Sequence, residues 1–166
     1  RMPMDLPPKV DPIVIVEDGG GTVAKYQDLV RRYNYENREV RIMGSCRSAC
    51  ILFLGVKNVC VGPQAVVKAH YAYEPNTQRI RLDITAEMMN EIPYRVSARL
   101  TPYMTEHYNK MTILNSGQLQ DLGIRRCGPE AVTASDNEPR RKQAATSLRP
   151  GNEVTKIFMN LLGVMK

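Results

Sequence analysis

Short apolar runs alternate along this chain with glycine-containing turns and amphipathic segments. Short, continuous β-branched runs are typical of strands buried on both faces of a parallel sheet. Such runs predict strands at residues 13–16, 40–43, 59–61 and from 65 onward. This order of strands, turns and helices predicts βαβ units and a mainly parallel sheet, and therefore an α/β fold.

Apolar residues at helical spacing occur between these strands and in most of the chain that follows. Apolar residues three and four apart predict a helix over 23–33, with Thr22 or Gly21 near its N-cap. The later predicted helices, some of them marked by a proline or a final glycine, cover residues 51–54, 83–100 with a kink or break at Pro93, a segment from Pro102 onward, and 116–122. Residues 124–127 are expected to return to the sheet.

Composition divides the 166 residues into four parts. They are an extended lead-in over 1–10, a domain over 11–127, a flexible linker over 128–151 and a short amphipathic C-terminal helix over 152–166. The last helix either docks on its own domain or contacts a partner or a membrane surface. A hydrophobic content of 43% excludes wholesale disorder, and the net charge of +6 permits an anionic partner. Acidic and basic residues are too evenly balanced in the tail for an arm that binds nucleic acid.

The chain begins at Arg1 and has neither a leader-like segment nor an apolar run as long as a membrane span. We therefore expect a processed or trimmed product whose leader has been removed.

Two turns between a strand and a helix carry candidate chemistry. Glycines 19–21 allow backbone N–H groups to approach a ligand, since no Cβ intervenes, and N–H groups at a helix start stabilise a phosphate or an oxyanion. Ser48 lies in the second turn, where the start of a helix suits a nucleophile whose attack creates an oxyanion. The structural alternatives are a tight turn at the glycines and a simple N-cap at Ser48.

His70 is the third candidate because it ends an apolar strand, at the edge where side chains of an α/β sheet line a cleft. A structural histidine is the alternative. His107, the other histidine, lies in a polar setting and is expected at the surface.

Together the segments Gly44-Ser45-Cys46-Arg47-Ser48-Ala49-Cys50 and Cys60-Val61-Gly62-Pro63-Gln64-Ala65…His70 resemble the Clp-protease proteolytic subunit and crotonase superfamily. The likeness is closest to small exported, periplasmic Clp-protease-like bacterial proteins and covers about residues 11–127. It implies a Ser48 nucleophile, a His70 base, and an oxyanion hole formed by Gly20 or Gly21 with the N–H of Ala49. It implies a peptide or protein substrate and no cofactor or metal, and it leaves a homo-oligomer open.

The chain departs from that family in two ways. No carboxylate precedes the 116–122 segment where the family's orienting acid lies, so a Ser–His dyad, a Ser–Lys variant using Lys110 or Lys68, and an inactive descendant all stay open. The superfamily's first strand–helix unit also has no counterpart before residue 11.

The four cysteines are candidates for two disulfides, which suit an exported protein and have counterparts in the resembling proteins. We expect the pairs Cys50–Cys60 and Cys46–Cys127. Their spacing is poor for paired zinc knuckles, and a catalytic thiolate at Cys46 or Cys50 is a minor alternative.

Three hypotheses for function follow. The first is a serine hydrolase of peptidase type that uses Ser48 and His70. The second is a catalytically degenerate binding or scaffold protein on the same fold, suggested by the missing acid. The third is an acyl-CoA enzyme of crotonase type, which would need no Ser–His pair.

Overall fold

One five-stranded sheet organises residues 11–74 and 76–129, the part of the chain described by the computed structural model. Its strands are β1 (Ile13–Asp18), β2 (Val40–Arg47), β3 (Val59–Val61), β4 (Val66–Ala69) and β5 (Thr112–Asn115). The pairings of β2 with β1, β3 and β4 are parallel, whereas β5 runs antiparallel to β4. The predicted α/β class with a mainly parallel sheet is confirmed. The lead-in, residues 130–151 of the linker and the C-terminal helix lie outside the described residues.

Strand β2 is the centre of the sheet and has two partners on one edge. Its first half pairs with β3, so that Val40 lies opposite Val59. Its second half pairs with β4, so that Arg47 lies opposite Lys68. The carboxyl ends of β2 and β4 are therefore neighbours, and the residues that follow each strand are brought together.

The described residues form four α-helices beside the sheet: α1 (Val23–Tyr35), α2 (Leu82–Asn90), α3 (Tyr94–Leu100) and α4 (Ser116–Asp121). The side chain of Thr22 accepts a hydrogen bond from the Lys25 N–H, which confirms Thr22 as the N-cap of α1. Gly123 adopts a φ of +98°, which suits the glycine expected after α4.

The core forms where α1 covers a 3₁₀-helix at Ser48–Gly55. Tyr26 and Tyr33 of α1 place their rings 5.3 and 6.0 Å from the ring of Phe53. Residues 48–54 are all buried. A 3₁₀-helix that is apolar on every side is stable only inside the protein, so this segment is fixed by packing on all its faces.

Several predicted elements differ from the structure. Strand β1 extends to Asp18 and is buried on both faces only at its start, because Val16 is 49% exposed. The buried helix predicted over 51–54 is a 3₁₀-helix that begins at Ser48.

The segment after α2 also differs in part. The predicted 83–100 helix is interrupted before Pro93, as expected, and continues as α3. The helix predicted from Pro102 is wrong, since a one-turn 3₁₀-helix at Thr101–Tyr103 leads instead to β5. Residues 124–127 return to the sheet only through a parallel bridge between Val61 and Arg126.

Candidate active site

Ser48 occupies the turn between β2 and the 3₁₀-helix in a left-handed conformation. Arg47 before it is extended, with φ −128°, and Ser48 itself has a φ of +57°. A left-handed residue with a Cβ costs about 1–2 kcal/mol. Strain of this kind, on a serine at a sharp strand-to-helix turn, is typical of a nucleophile held in one orientation.

The glycine loop after β1 lies directly against the Ser48 turn. Gly20 has a φ of +96°, and a Cβ at this position would come within 2.7 Å of the Ser48 Cβ and 3.1 Å of the Ala49 nitrogen. Only glycine fits both the conformation and the space. The two turns that the sequence singled out are therefore in contact.

A buried carboxylate, Asp18, holds this loop. Its Oδ1 accepts hydrogen bonds from the Gly20 N–H at 2.8 Å and from the Tyr26 hydroxyl at 2.6 Å. Burial raises the pKa of Asp18 to about 6, although both hydrogen bonds act in the opposite direction. Its Oδ2 has no hydrogen-bond partner among the described residues.

This anchoring distinguishes the two glycines proposed for the oxyanion hole. The Gly20 N–H is engaged by Asp18, whereas the Gly21 N–H has no acceptor within residues 11–74 and 76–129. Of the two glycines, Gly21 is therefore the one whose N–H is not engaged within the described residues, and the Ala49 nitrogen lies beside the same loop. Asp18 was not among the residues predicted for the site, although its place between an apolar strand and three glycines is a signal in the sequence.

His70 follows β4 and contacts Ser48, which follows the neighbouring strand β2. Its Nε2 lies 3.2 Å from the Ser48 Oγ, and both side chains are buried, with 5% and 3% exposed. The Nδ1 of His70 lies 2.6 Å from the backbone oxygen of Tyr71. Because a carbonyl only accepts, Nδ1 carries the proton and Nε2 is left to accept from the Ser48 hydroxyl. This is the tautomer that a general base requires.

The group that orients His70 is thus a backbone carbonyl rather than a carboxylate. Burial lowers the pKa of His70 below its ordinary 6.5; the Tyr71 hydrogen bond opposes this effect, and the charge of Arg47 adds to it. Among the described residues no lysine side chain is hydrogen-bonded to Ser48, and Lys110 is exposed. In the described part of the chain the arrangement is therefore a hydrogen-bonded Ser–His pair.

Tyr73 forms another wall of the site that sequence reasoning missed. Its ring centroid lies 6.0 Å from that of His70, and its hydroxyl is buried without a hydrogen-bond partner in the described part of the chain. Nothing in the local sequence distinguishes this tyrosine from the seven others. His107, in contrast, is exposed as predicted.

The disulfides are Cys46–Cys50 and Cys60–Cys127, so the expected pairing was wrong. Cys127 follows the Val61–Arg126 bridge and so lies beside Cys60, opposite the start of β2. Cys46 and Cys50 lie together at the other end of β2. The left-handed Ser48 turns the chain back so that the Cα atoms of Cys46 and Cys50 are 5.3 Å apart. Both cysteines of this bridge are fully buried and bonded, which removes the thiolate alternative.

A cavity of about 450 Å³ lies away from the dyad, among residues that include Gly55, Lys57, Glu91 and Arg125. It is lined by Gly55 at the far end of the Ser48–Gly55 helix but by neither Ser48 nor His70, so its size does not bear on their chemistry. Within the described ranges no three histidine, cysteine or acidic side chains cluster in a way that could hold a metal ion. None of the helices in those ranges is both long and apolar enough to cross a bilayer.

The comparisons with known proteins add no family to this geometry. Neither a protein-family model nor a curated protein matches the chain. What the chain shows by itself is a mixed α/β fold with two disulfides that are compatible with export, and a buried serine hydrogen-bonded to a histidine.

Proposed function

We propose that this protein is an exported serine hydrolase of peptidase type, located in a bacterial periplasm and built on a Clp-protease/crotonase-like fold. The observation that carries the proposal is the Ser48–His70 hydrogen bond, with Nδ1 of His70 tied to the Tyr71 carbonyl. Ser48 is the nucleophile and His70 the general base. The strained Ser48 turn and the glycine loop packed on it support this assignment.

In the proposed reaction the Ser48 Oγ attacks the acyl carbon while its proton passes to Nε2 of His70. The substrate oxygen becomes an oxyanion beside the N–H groups of Gly21 and Ala49, which stabilise it. His70, now an imidazolium, returns the proton to the leaving group, and water then hydrolyses the acyl-enzyme by the reverse sequence.

A dyad of this kind is expected to be slower than a complete triad. Loss of the orienting carboxylate costs serine proteases about 10⁴ in kcat, chiefly because the histidine takes the wrong tautomer. Here the Tyr71 carbonyl selects the right tautomer, so that part of the loss is avoided. The imidazolium still lacks a neighbouring anion, and the charge of Arg47 disfavours it.

A catalytically degenerate binding protein is the second candidate. One observation favours it: His70 contacts a neutral carbonyl where a hydrolase triad has a carboxylate. Such a protein would keep the Ser48–His70 hydrogen bond as a structural element of the core.

A fluorophosphonate probe separates the two candidates. We expect it to label the wild type and to fail with Ser48→Ala and His70→Ala. Ser97→Ala is the matched control, since Ser97 is also buried but donates its hydroxyl hydrogen bond to the Tyr94 carbonyl. Folded wild type that resists the probe, or Ser48→Ala that is labelled as strongly as wild type, would contradict the hydrolase proposal.

A further inference from the structure

Two cations lie side by side next to the dyad. Arg47 precedes Ser48 on β2, Lys68 lies two residues before His70 on β4, and the two cations are directly opposite each other in the parallel pairing. Their neighbours Cys46 and Val67 are fully buried in the core. Because strand residues alternate between faces, Arg47 and Lys68 project from the other face, where both are half-buried.

Neither cation is neutralised within the described residues. Seven other arginines in that part of the chain form ion pairs, but Arg47 and Lys68 form none. Glu17 is the acidic residue closest by register, since it pairs with Ser45 on the same face, and it makes no ion pair with Arg47. Like charges opposite each other on adjacent strands destabilise a sheet. An anion bound between them would remove that repulsion.

The charge of Arg47 also affects the pKa of His70, the proposed catalytic base. The positive charge of Arg47 opposes protonation of His70, so the two side chains are electrostatically coupled. Because Arg47 directly precedes Ser48 and Lys68 lies two residues before His70, an anion held between these cations would lie beside the dyad, where a bound substrate can supply it.

We propose that Arg47 and Lys68 form a carboxylate subsite that selects acidic peptide substrates, a specificity that rests on the proposed hydrolase function. Arg47 supplies a planar, bidentate partner for the carboxylate and Lys68 a second point charge. The carboxylate comes either from an acidic side chain near the scissile bond or from the free C-terminus of a short peptide. Once bound, it offsets the Arg47 charge and stabilises the His70 imidazolium, in part replacing the carboxylate that the dyad lacks.

The test uses four fluorogenic peptides that are identical except for Glu or Gln beside the scissile bond and a free or amidated C-terminus. We expect wild type to prefer one carboxylate-bearing series over its neutral counterpart by about tenfold or more in kcat/KM. Preference for Glu identifies a side-chain carboxylate, and preference for the free C-terminus a terminal one. Arg47→Gln and Lys68→Gln should each reduce that preference, whereas Lys25→Gln, which removes an exposed lysine on α1, should leave it unchanged.

A second measurement keeps the inference separate from the proposed hydrolysis. Equilibrium binding of the same peptides to Ser48→Ala, with and without Arg47→Gln, tests the subsite even if no turnover occurs. Arg47→Gln should also unfold at a higher urea concentration than wild type, because it removes the repulsion with Lys68. If the fluorophosphonate probe labels wild type but all four peptides bind Ser48→Ala with equal affinity, the subsite alone is overturned. If wild type is not labelled and the carboxylate-bearing peptides still bind more tightly, only the hydrolase proposal is overturned.

Discussion

Asp18 gives the most specific test of the structure, because a buried carboxylate makes stability depend on pH. Asp18 is 1% exposed, and its pKa rises from an ordinary 3.8 to about 6. The folded state therefore binds a proton more tightly than the unfolded chain. Stability from this group is complete below pH 3.8 and is lost as the pH rises through about 6. A difference of about two pKa units corresponds to about 3 kcal/mol at pH 7.5.

Asp18→Asn should abolish this dependence. The asparagine Oδ1 can still accept from the Gly20 N–H and the Tyr26 hydroxyl, so the loop stays anchored. Its amide takes the place of Oδ2 and is buried without a partner, at a cost of about 1–3 kcal/mol that does not vary with pH. Near pH 4 wild-type Asp18 is itself protonated and Oδ2 is equally without a partner, so the variant should be about as stable as wild type there and more stable by pH 7.5.

Urea unfolding at pH 4 and pH 7.5 measures the free energy of unfolding of wild type and of Asp18→Asn. The informative quantity is the difference in the free energy of unfolding between the two proteins at each pH, since His70 contributes to the pH dependence of both. The folded pKa of His70 is depressed, so its contribution is present above pH 6.5 and is lost at lower pH. A difference between wild type and Asp18→Asn that is the same at both pH values would refute the reasoning about burial.

Three further predictions concern the bridge, the loop and the base. Removing Cys60–Cys127 with a double alanine variant should lower the free energy of unfolding by about 4 kcal/mol, because this bridge closes a 67-residue separation; an unchanged urea midpoint would contradict this. Gly20→Ala should abolish fluorophosphonate labelling because its Cβ collides with the nucleophile turn, whereas Gly117→Ala, whose nearest neighbour is at 3.6 Å, should label normally. If the dyad is active, kcat/KM should fall on the acid side with a midpoint below 6.5, because burial depresses the pKa of His70; a midpoint above 6.5 would exclude His70 as the buried base.

The sequence was informative where a local pattern has one physical solution. Consecutive glycines between a strand and a helix, with a serine in the next such turn, placed two backbone turns at the same edge of the sheet. His70 at the end of β4 followed because the ends of parallel strands meet there. The order of the elements gave these positions separately, whereas their assembly into one site was implied by the resemblance to the Clp-protease and crotonase superfamily.

Features that depend on long-range contacts could not be predicted from the order of the elements. Strand β5 has only four residues and owes its existence to pairing with β4, so its sequence carries little signal. The 3₁₀ form of Ser48–Gly55 depends on packing against α1. The Tyr71 carbonyl cannot be recognised from residue type, because every residue has one.

The connectivity of the disulfides has a consequence for how the chain becomes oxidised. Each bridge joins cysteines that are consecutive along the sequence, first 46 with 50 and then 60 with 127. If the chain enters an oxidising compartment N-terminus first, an oxidase that joins each newly exposed thiol to the preceding unpaired thiol produces the native pattern directly. Cys60 has to remain reduced until the last segment of the domain arrives, but no wrong bridge has to be broken. Maturation then requires an oxidant and no disulfide isomerase.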